Sequence, residues 1–224
     1  MLYYLQEWRD WFSPLRIFQY ITFRAFLASG TAFLISLVFG PWLIQRLRAF
    51  KAEQVVRGAD VSATLHSLHG GKAGTPTMGG LLIVFSVLSA TVVWAEPGNL
   101  YVTLALLTML VMGGIGFADD YLKITRQGPG GLSGRTKLAL QTAWVIVLLA
   151  ILWTNPQTRQ TTAQLMVPFF KDPVIEAMPL LLAAPFLWLV MVGASNAVNL
   201  TDGLDGLAIG CTNSVALSYL IMAY

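Results

Sequence analysis

The chain has 224 residues, 56% of them hydrophobic and only 11% charged, with a formal net charge of +3. Soluble domains carry about 25% charged residues, so this composition, with a mean hydropathy of +0.66, excludes an ordinary soluble domain and indicates an integral membrane protein. So small a net charge gives no footing for a nucleic-acid partner; in a membrane protein it bears on loop orientation instead.

Residues 1–20 read as an amphipathic approach to the bilayer, with Trp8, Trp11, Phe12 and Tyr20 suited to the interface. Glu7, Arg9 and Asp10 stand where a cleaved signal peptide would have its basic region, so none is expected. Residues 25–44 are free of charge and long enough, as a helix, to cross roughly 30 Å of hydrocarbon, with Pro41 expected to kink the end. Arg24 just before this span reads as a snorkelling cation. A polar loop, 45–77, leads to a second span at 78–95 and a turn of breaker residues at 96–99. The third span, 100–118, closes on Asp119-Asp120. After the loop 121–137 come a fourth span at 138–153, a longer connection at 154–177 and a fifth span at 178–198. A polar cluster follows, and residues 207–224 begin a sixth. The expectation is an all-α, polytopic integral membrane helix bundle with about six spans in this chain. It forms a single membrane domain, 1–224, with no separate soluble domain. The lone cysteine, Cys211, lies in an apolar run and excludes a disulfide within the chain.

Loops 45–77 and 121–137 together hold nine of the fourteen Lys and Arg, five in the first and four in the second. By the positive-inside rule these loops are cytoplasmic and the N-terminus is external. That topology brings three polar constellations to the cytoplasmic face: residues 74–80, Asp119-Asp120 and residues 199–206.

Each constellation has a structural and a functional reading. Adjacent carboxylates at a helix C-terminus oppose the macrodipole and repel each other, which calls for a compensating cation, Mg²⁺ or Lys123. Neighbours on a helix point about 100° apart, so the two aspartates are expected to have different jobs; the plainer reading is a solvated acidic cap. In Asn199-Leu-Thr-Asp-Gly-Leu-Asp-Gly206, Thr201 or Asp202 is expected to cap the sixth helix. If helical, Asp202 and Asp205 share a face, Gly203 and Gly206 admit a ligand close to the backbone, and the oxygens suit Mg²⁺. The stretch Lys72 to Gly80 precedes a helix and offers an anion site at its N-terminus, or an ordinary Gly/Pro turn. His66 and His69 in the same loop are read as a solvated pair.

Gly74-Thr-Pro-Thr-Met-Gly-Gly80, Phe117-Ala-Asp-Asp-Tyr121, Val167-Pro-Phe-Phe-Lys171 and Asn196-Ala-Val-Asn-Leu-Thr-Asp-Gly-Leu-Asp-Gly206 resemble, in order and across essentially the whole chain, the bacterial phospho-N-acetylmuramoyl-pentapeptide-transferase (MraY translocase) family. The aspartate pair alone is shared with the wider polyprenyl-phosphate sugar-1-phosphate transferase superfamily. The resemblance implies a ten-helix enzyme of the bacterial inner membrane with a cytoplasmic active site. It would transfer phospho-MurNAc-pentapeptide from UDP-MurNAc-pentapeptide to undecaprenyl phosphate, giving lipid I and UMP with Mg²⁺ as cofactor, and a homodimer is among its expected assemblies. By motif, Asp119 is the candidate base or nucleophile-side acid, Asp120 its partner near the metal, and Asn199 a Mg²⁺ ligand. Lys72, Thr77, Asp202, Gly203 and Asp205, with Asn199, would line the uridine and sugar-phosphate site. The family's later loops, with a further metal-binding aspartate and a His-rich motif, would lie beyond Tyr224, so the chain is expected to be incomplete. Two rival readings are a relative that moves GlcNAc-1-phosphate to the same lipid, and a transporter using the acids as an ion path. The transporter predicts charges midway across the bilayer, whereas here they fall at helix ends.

Overall fold

A computed structural model describes residues 1–49, 78–126, 130–202 and 206–223. Lys72, Thr77, Gly203 and Asp205, together with His66 and His69, lie outside the described residues. Two 3-10 helices, Leu2–Asp10 and Ser13–Gln19, precede α1 (Ile21–Ala49), α2 (Gly80–Trp94), α3 (Leu100–Thr125), α4 (Gly134–Thr154), α5 (Pro156–Ala163), α6 (Leu180–Thr201) and α7 (Leu207–Ala223). Among the described residues, the only β feature is a single bridge between Leu165 and Ile175. The protein is therefore all-α. Four helices, α1, α3, α4 and α6, are long and apolar enough to cross a membrane, and α2 and α7 are shorter apolar helices.

The local causes are plain. Long apolar runs without strand-like alternation favour helices, the one open structure that satisfies every backbone group in lipid. Serine and threonine hydroxyls inside the helices donate back to carbonyls one turn earlier, as Ser29 does to Ala25 at 2.9 Å and Thr108 to Leu104 at 2.7 Å, so they add no unmet polar group. The turn between α2 and α3 is tight because Gly98 takes φ +92°, a conformation costly for other residues. Asn99 then caps α3, its Oδ1 accepting from the Tyr101 amide at 3.0 Å. Large apolar side chains point outward along the spans, Phe26 at 77% exposure for example. On a soluble protein such a surface would be an association patch; on a membrane protein it faces lipid.

The chain divides into two compact units, Met1–Ser133 and Gly134–Tyr224. In the first, α1 and α2 pack antiparallel. Ser36 Oγ donates to Ser86 Oγ at 3.0 Å, the Phe39 and Phe85 rings meet edge to face, and Trp94 Nε1 donates to Thr31 Oγ1 at 3.0 Å. Since α3 returns after a four-residue turn, Glu96 to Asn99, the ends of α1 and α3 and the start of α2 share one pole of this unit. The opposite pole is covered by the N-terminal segment. Tyr3 donates its hydroxyl to Glu96 at 3.0 Å, and Phe18 stacks on Trp94. This cover overturns the reading of Arg24 as snorkelling. Arg24 is only 7% exposed, its guanidinium sits 4.7 Å over the Tyr3 ring, and its Nε is buried with no hydrogen-bond partner among the described residues.

In the second unit, α4 and α6 are antiparallel. Gln141 Nε2 donates to Ser195 Oγ at 3.0 Å, Asn196 Nδ2 donates to Gln141 Oε1 at 2.8 Å, and Trp188 Nε1 donates to Thr142 Oγ1 at 2.9 Å. Hydrogen bonds between helices supply direction where lipid weakens the hydrophobic drive to associate. The last turn of α6 accordingly lies at the end of the unit where α4 begins, beside the segment holding Arg135 and Lys137. The stretch 154–177, expected as a plain connection, contains α5, which Asn155 caps by accepting from the Gln157 amide at 2.9 Å, with Pro156 at the first helical position.

Candidate active site

The helix expected to stop at Asp119-Asp120 continues to Thr125. The apolar run ends at the pair, but the polar residues after it remain good helix formers once clear of hydrocarbon. The aspartates therefore occupy the last two turns of α3. Their angular separation divides them as expected. Asp119 is 5% exposed, whereas the Asp120 side chain is 42% exposed. Lys123 is the compensating cation, its Nζ 2.8 Å from Asp119 Oδ2 and 2.8 Å from Asp120 Oδ1. The i,i+4 and i,i+3 spacings with the acids N-terminal to the lysine favour this arrangement, and a cation in the last turn suits the helix dipole.

The other oxygen of Asp119 is held from outside the helix: the Leu132 amide donates to Asp119 Oδ1 at 2.8 Å. Both oxygens of this buried carboxylate thus have donors, one a cation and one a backbone N–H. A buried carboxylate needs such partners to stay ionised. Sequence reading missed Leu132 and its neighbour Gly131, which lies directly against Asp119. The signal available was the run of glycines after α3, which does not say what the backbone approaches.

In the second unit, Asn199 and Thr201 belong to the last turn of α6, and Asp202 is its C-cap residue. This corrects the expectation that Thr201 or Asp202 caps the following helix. Thr201 Oγ1 donates to the Val198 carbonyl at 2.8 Å, and the Asp202 amide donates to the same carbonyl at 3.2 Å, so both close α6. The next helix starts only at Leu207. Asn199 and Asp202 are exposed, with oxygens open to a ligand. Asn196, one turn before Asn199, is tied to Gln141, which is itself only 3% exposed, and to the Val192 carbonyl at 2.8 Å. Gln141 carried no signal in the sequence: one amide in an apolar run forms no pattern.

Of the stretch 74–80, Met78 to Gly80 are described. Met78 adopts φ +73° and the helix begins at Gly80. A bulky residue in this left-handed region is uncommon and marks a sharp change of chain direction. Among the described residues no three His, Cys, Asp or Glu side chains group as a ready metal cage. What the sites do present is hard oxygen: the half-exposed Asp120 carboxylate and the exposed Asn199 amide. This donor chemistry fits Mg²⁺, which takes few protein ligands and keeps several waters.

Residues 102–224 match the model of glycosyl transferase family 4, and residues 72–84 match signature 1 of phospho-N-acetylmuramoyl-pentapeptide-transferase. The whole chain is similar to proteins of that name from Methylacidiphilum infernorum, 44% identical over 100% of this chain and 61% of the relative, and from Syntrophus aciditrophicus, 42% identical over 100% and 60%. The relative from Endomicrobium trichonymphae is 46% identical over 95% of this chain and 57% of its own length. The chain thus spans about three fifths of the length of the relatives it matches.

Proposed function

Because the chain belongs to glycosyl transferase family 4, we propose that it is the N-terminal part of a transferase making lipid I for peptidoglycan. The donor would be UDP-MurNAc-pentapeptide and the acceptor undecaprenyl phosphate, in the bacterial inner membrane, with the chemistry on the cytoplasmic side. The observation that carries this reading is the match of residues 72–84 to the phospho-N-acetylmuramoyl-pentapeptide-transferase signature. The charge distribution supports it. Among the described residues, each unit has its candidate polar residues at one pole, and basic residues, Arg46, Arg48, Lys123 and Arg126 in the first and Arg135 and Lys137 in the second, lie at the same poles.

In the reaction, a phosphate oxygen of undecaprenyl phosphate forms a bond to the phosphorus that carries the sugar. The bond from that phosphorus to the bridging oxygen breaks, and its electron pair leaves on UMP. Such a transfer asks the protein for positioning and charge neutralisation more than for covalent chemistry. Asp119, held at both oxygens, is the fixed carboxylate on the nucleophile side, taking any proton the lipid phosphate carries. Asp120 in the first unit and Asn199 in the second are each candidate ligands for Mg²⁺, which would supply charge neutralisation for the transfer. Lys123 keeps the two aspartates from repelling each other. Lys72, Thr77, Asp202, Gly203 and Asp205 would line the uridine and sugar-phosphate site, and the lipid-facing grooves would take the polyprenyl tail.

The test is product formation by the full native protein in nanodiscs. UMP release and a lipid-linked muropeptide from UDP-MurNAc-pentapeptide are expected, with no turnover of UDP-GlcNAc. The reverse preference would make the protein a GlcNAc-1-phosphate transferase and overturn the proposal.

A further inference from the structure

We propose that Gly131 is a positioning residue for the transfer reaction: its missing side chain lets the backbone at 131–132 close onto the end of α3, where the Leu132 amide sets the Asp119 carboxylate. The inference rests on the role given to Asp119 above.

A Cβ on residue 131 would overlap Asp119 Oδ1 and stand 2.7 Å from the Asp119 carbonyl oxygen and 2.9 Å from its Cγ. Real Cβ atoms essentially never come within 3.0 Å of a heavy atom outside their own chain neighbours. Turning the aspartate side chain would relieve two of these contacts. It would not relieve the third, because the carbonyl belongs to the α3 backbone. Any side chain at 131 therefore lifts the loop away from the helix and lengthens the 2.8 Å bond from the Leu132 amide, formed across 13 residues of chain.

The same demand is not made of Gly130 or Gly134, where a Cβ would meet nothing within 4 Å. Among the described glycines of this loop, the constraint thus belongs to Gly131 alone. It matters because the last torsion of an aspartate is broad and roughly two-fold. Lys123 reaches Oδ2 from a flexible stem and so fixes the carboxylate plane only loosely. A second donor on Oδ1, anchored in backbone, defines the plane. The Leu132 amide does not move independently of its loop.

The experiment uses the full native protein in nanodiscs and two readouts. The first is hydrogen–deuterium exchange of peptides covering 130–133; the second is kcat and KM for UDP-MurNAc-pentapeptide. Gly131→Ala should speed exchange at Leu132 and lower kcat about 100-fold, the scale of a 1 Å misplacement, while KM stays within about threefold. Gly134→Ala should leave both unchanged. Asp119→Ala removes the acceptor without crowding the loop. It should also speed exchange at Leu132, and it reads the same bond if Gly131→Ala fails to fold. Exchange at Leu132 as slow in Asp119→Ala as in wild type would overturn the proposal, as would a kcat for Gly131→Ala within about threefold of wild type. Absence of UMP release from the wild type would instead overturn the transferase reading, and Gly131's part in it; the exchange result would still decide the contact.

Discussion

Asn196 donates to the side-chain oxygen of Gln141 at 2.8 Å, and this bond ties α6 to α4 one turn before Asn199. Gln141 Nε2 in turn donates to Ser195 Oγ at 3.0 Å, so one buried side chain holds two successive residues of the neighbouring helix. Replacing it by leucine leaves Asn196 its bond to the Val192 carbonyl but severs both links between helices. Such bonds average about 0.6 kcal/mol each in membrane bundles. Gln141→Leu should therefore lose about 1 kcal/mol of stability, read from denaturant unfolding in mixed micelles. A stability equal to wild type would show that the two Gln141 bonds add nothing to the hold of α4 on α6.

Asp119→Asn should abolish transfer while preserving the fold. The amide oxygen can still accept from Leu132, but the charge that pairs with Lys123 at 2.8 Å is gone. Turnover within about threefold of wild type, a barrier difference of roughly 0.65 kcal/mol, would reduce Asp119 to a structural cap.

Asp120→Asn should act differently, because its side chain is 42% exposed and available to a hydrated cation. The expected outcome is a rise of roughly tenfold in the Mg²⁺ needed for half-maximal rate, with activity recovering at high metal. A titration curve superposable on that of the wild type would separate Asp120 from the metal.

The topology predicts that Asp60→Cys, in a Cys211→Ser background, is shielded from an impermeant thiol reagent in intact cells. The ground is the clustering of Lys and Arg in loops 45–77 and 121–137. Labelling in intact cells would invert the assignment of sides.

Hydropathy located the spans to within a few residues, since a bilayer demands an apolar run of set length and little else in these sequences supplies one. It failed where a helix outlives its apolar run. The third span was cut at Asp119-Asp120, whereas α3 continues to Thr125, its last turns built from residues that tolerate water. It also passed over α5, although Asn155-Pro156 is a start signal that could have been read. The structural reading of Thr201 or Asp202 as opening α7 fails because residues of this type close helices as well as open them, and here they close α6. At the site, motif and charge singled out Asp119 and Asp120, with Lys123 as a compensating cation in the loop beyond them; that all three lie on one helix comes from the structure. The contributions of Leu132, Gly131 and Gln141 come from backbone approach and from bonds between helices, which leave no periodicity in a sequence.

The N-terminal segment sets a rule for handling the protein. Tyr3 shields the buried guanidinium of Arg24 with its ring and reaches Glu96 with its hydroxyl, so the first residues serve as a clasp across the start of α1 and the α2–α3 turn. Met1 itself is 62% exposed, which leaves room for a fused tag. Trimming into the segment is another matter: without Tyr3 a charged group is left facing lipid at the edge of the bilayer. An expression strategy that shortens this end removes the cover of Arg24, while one that lengthens it leaves the clasp in place.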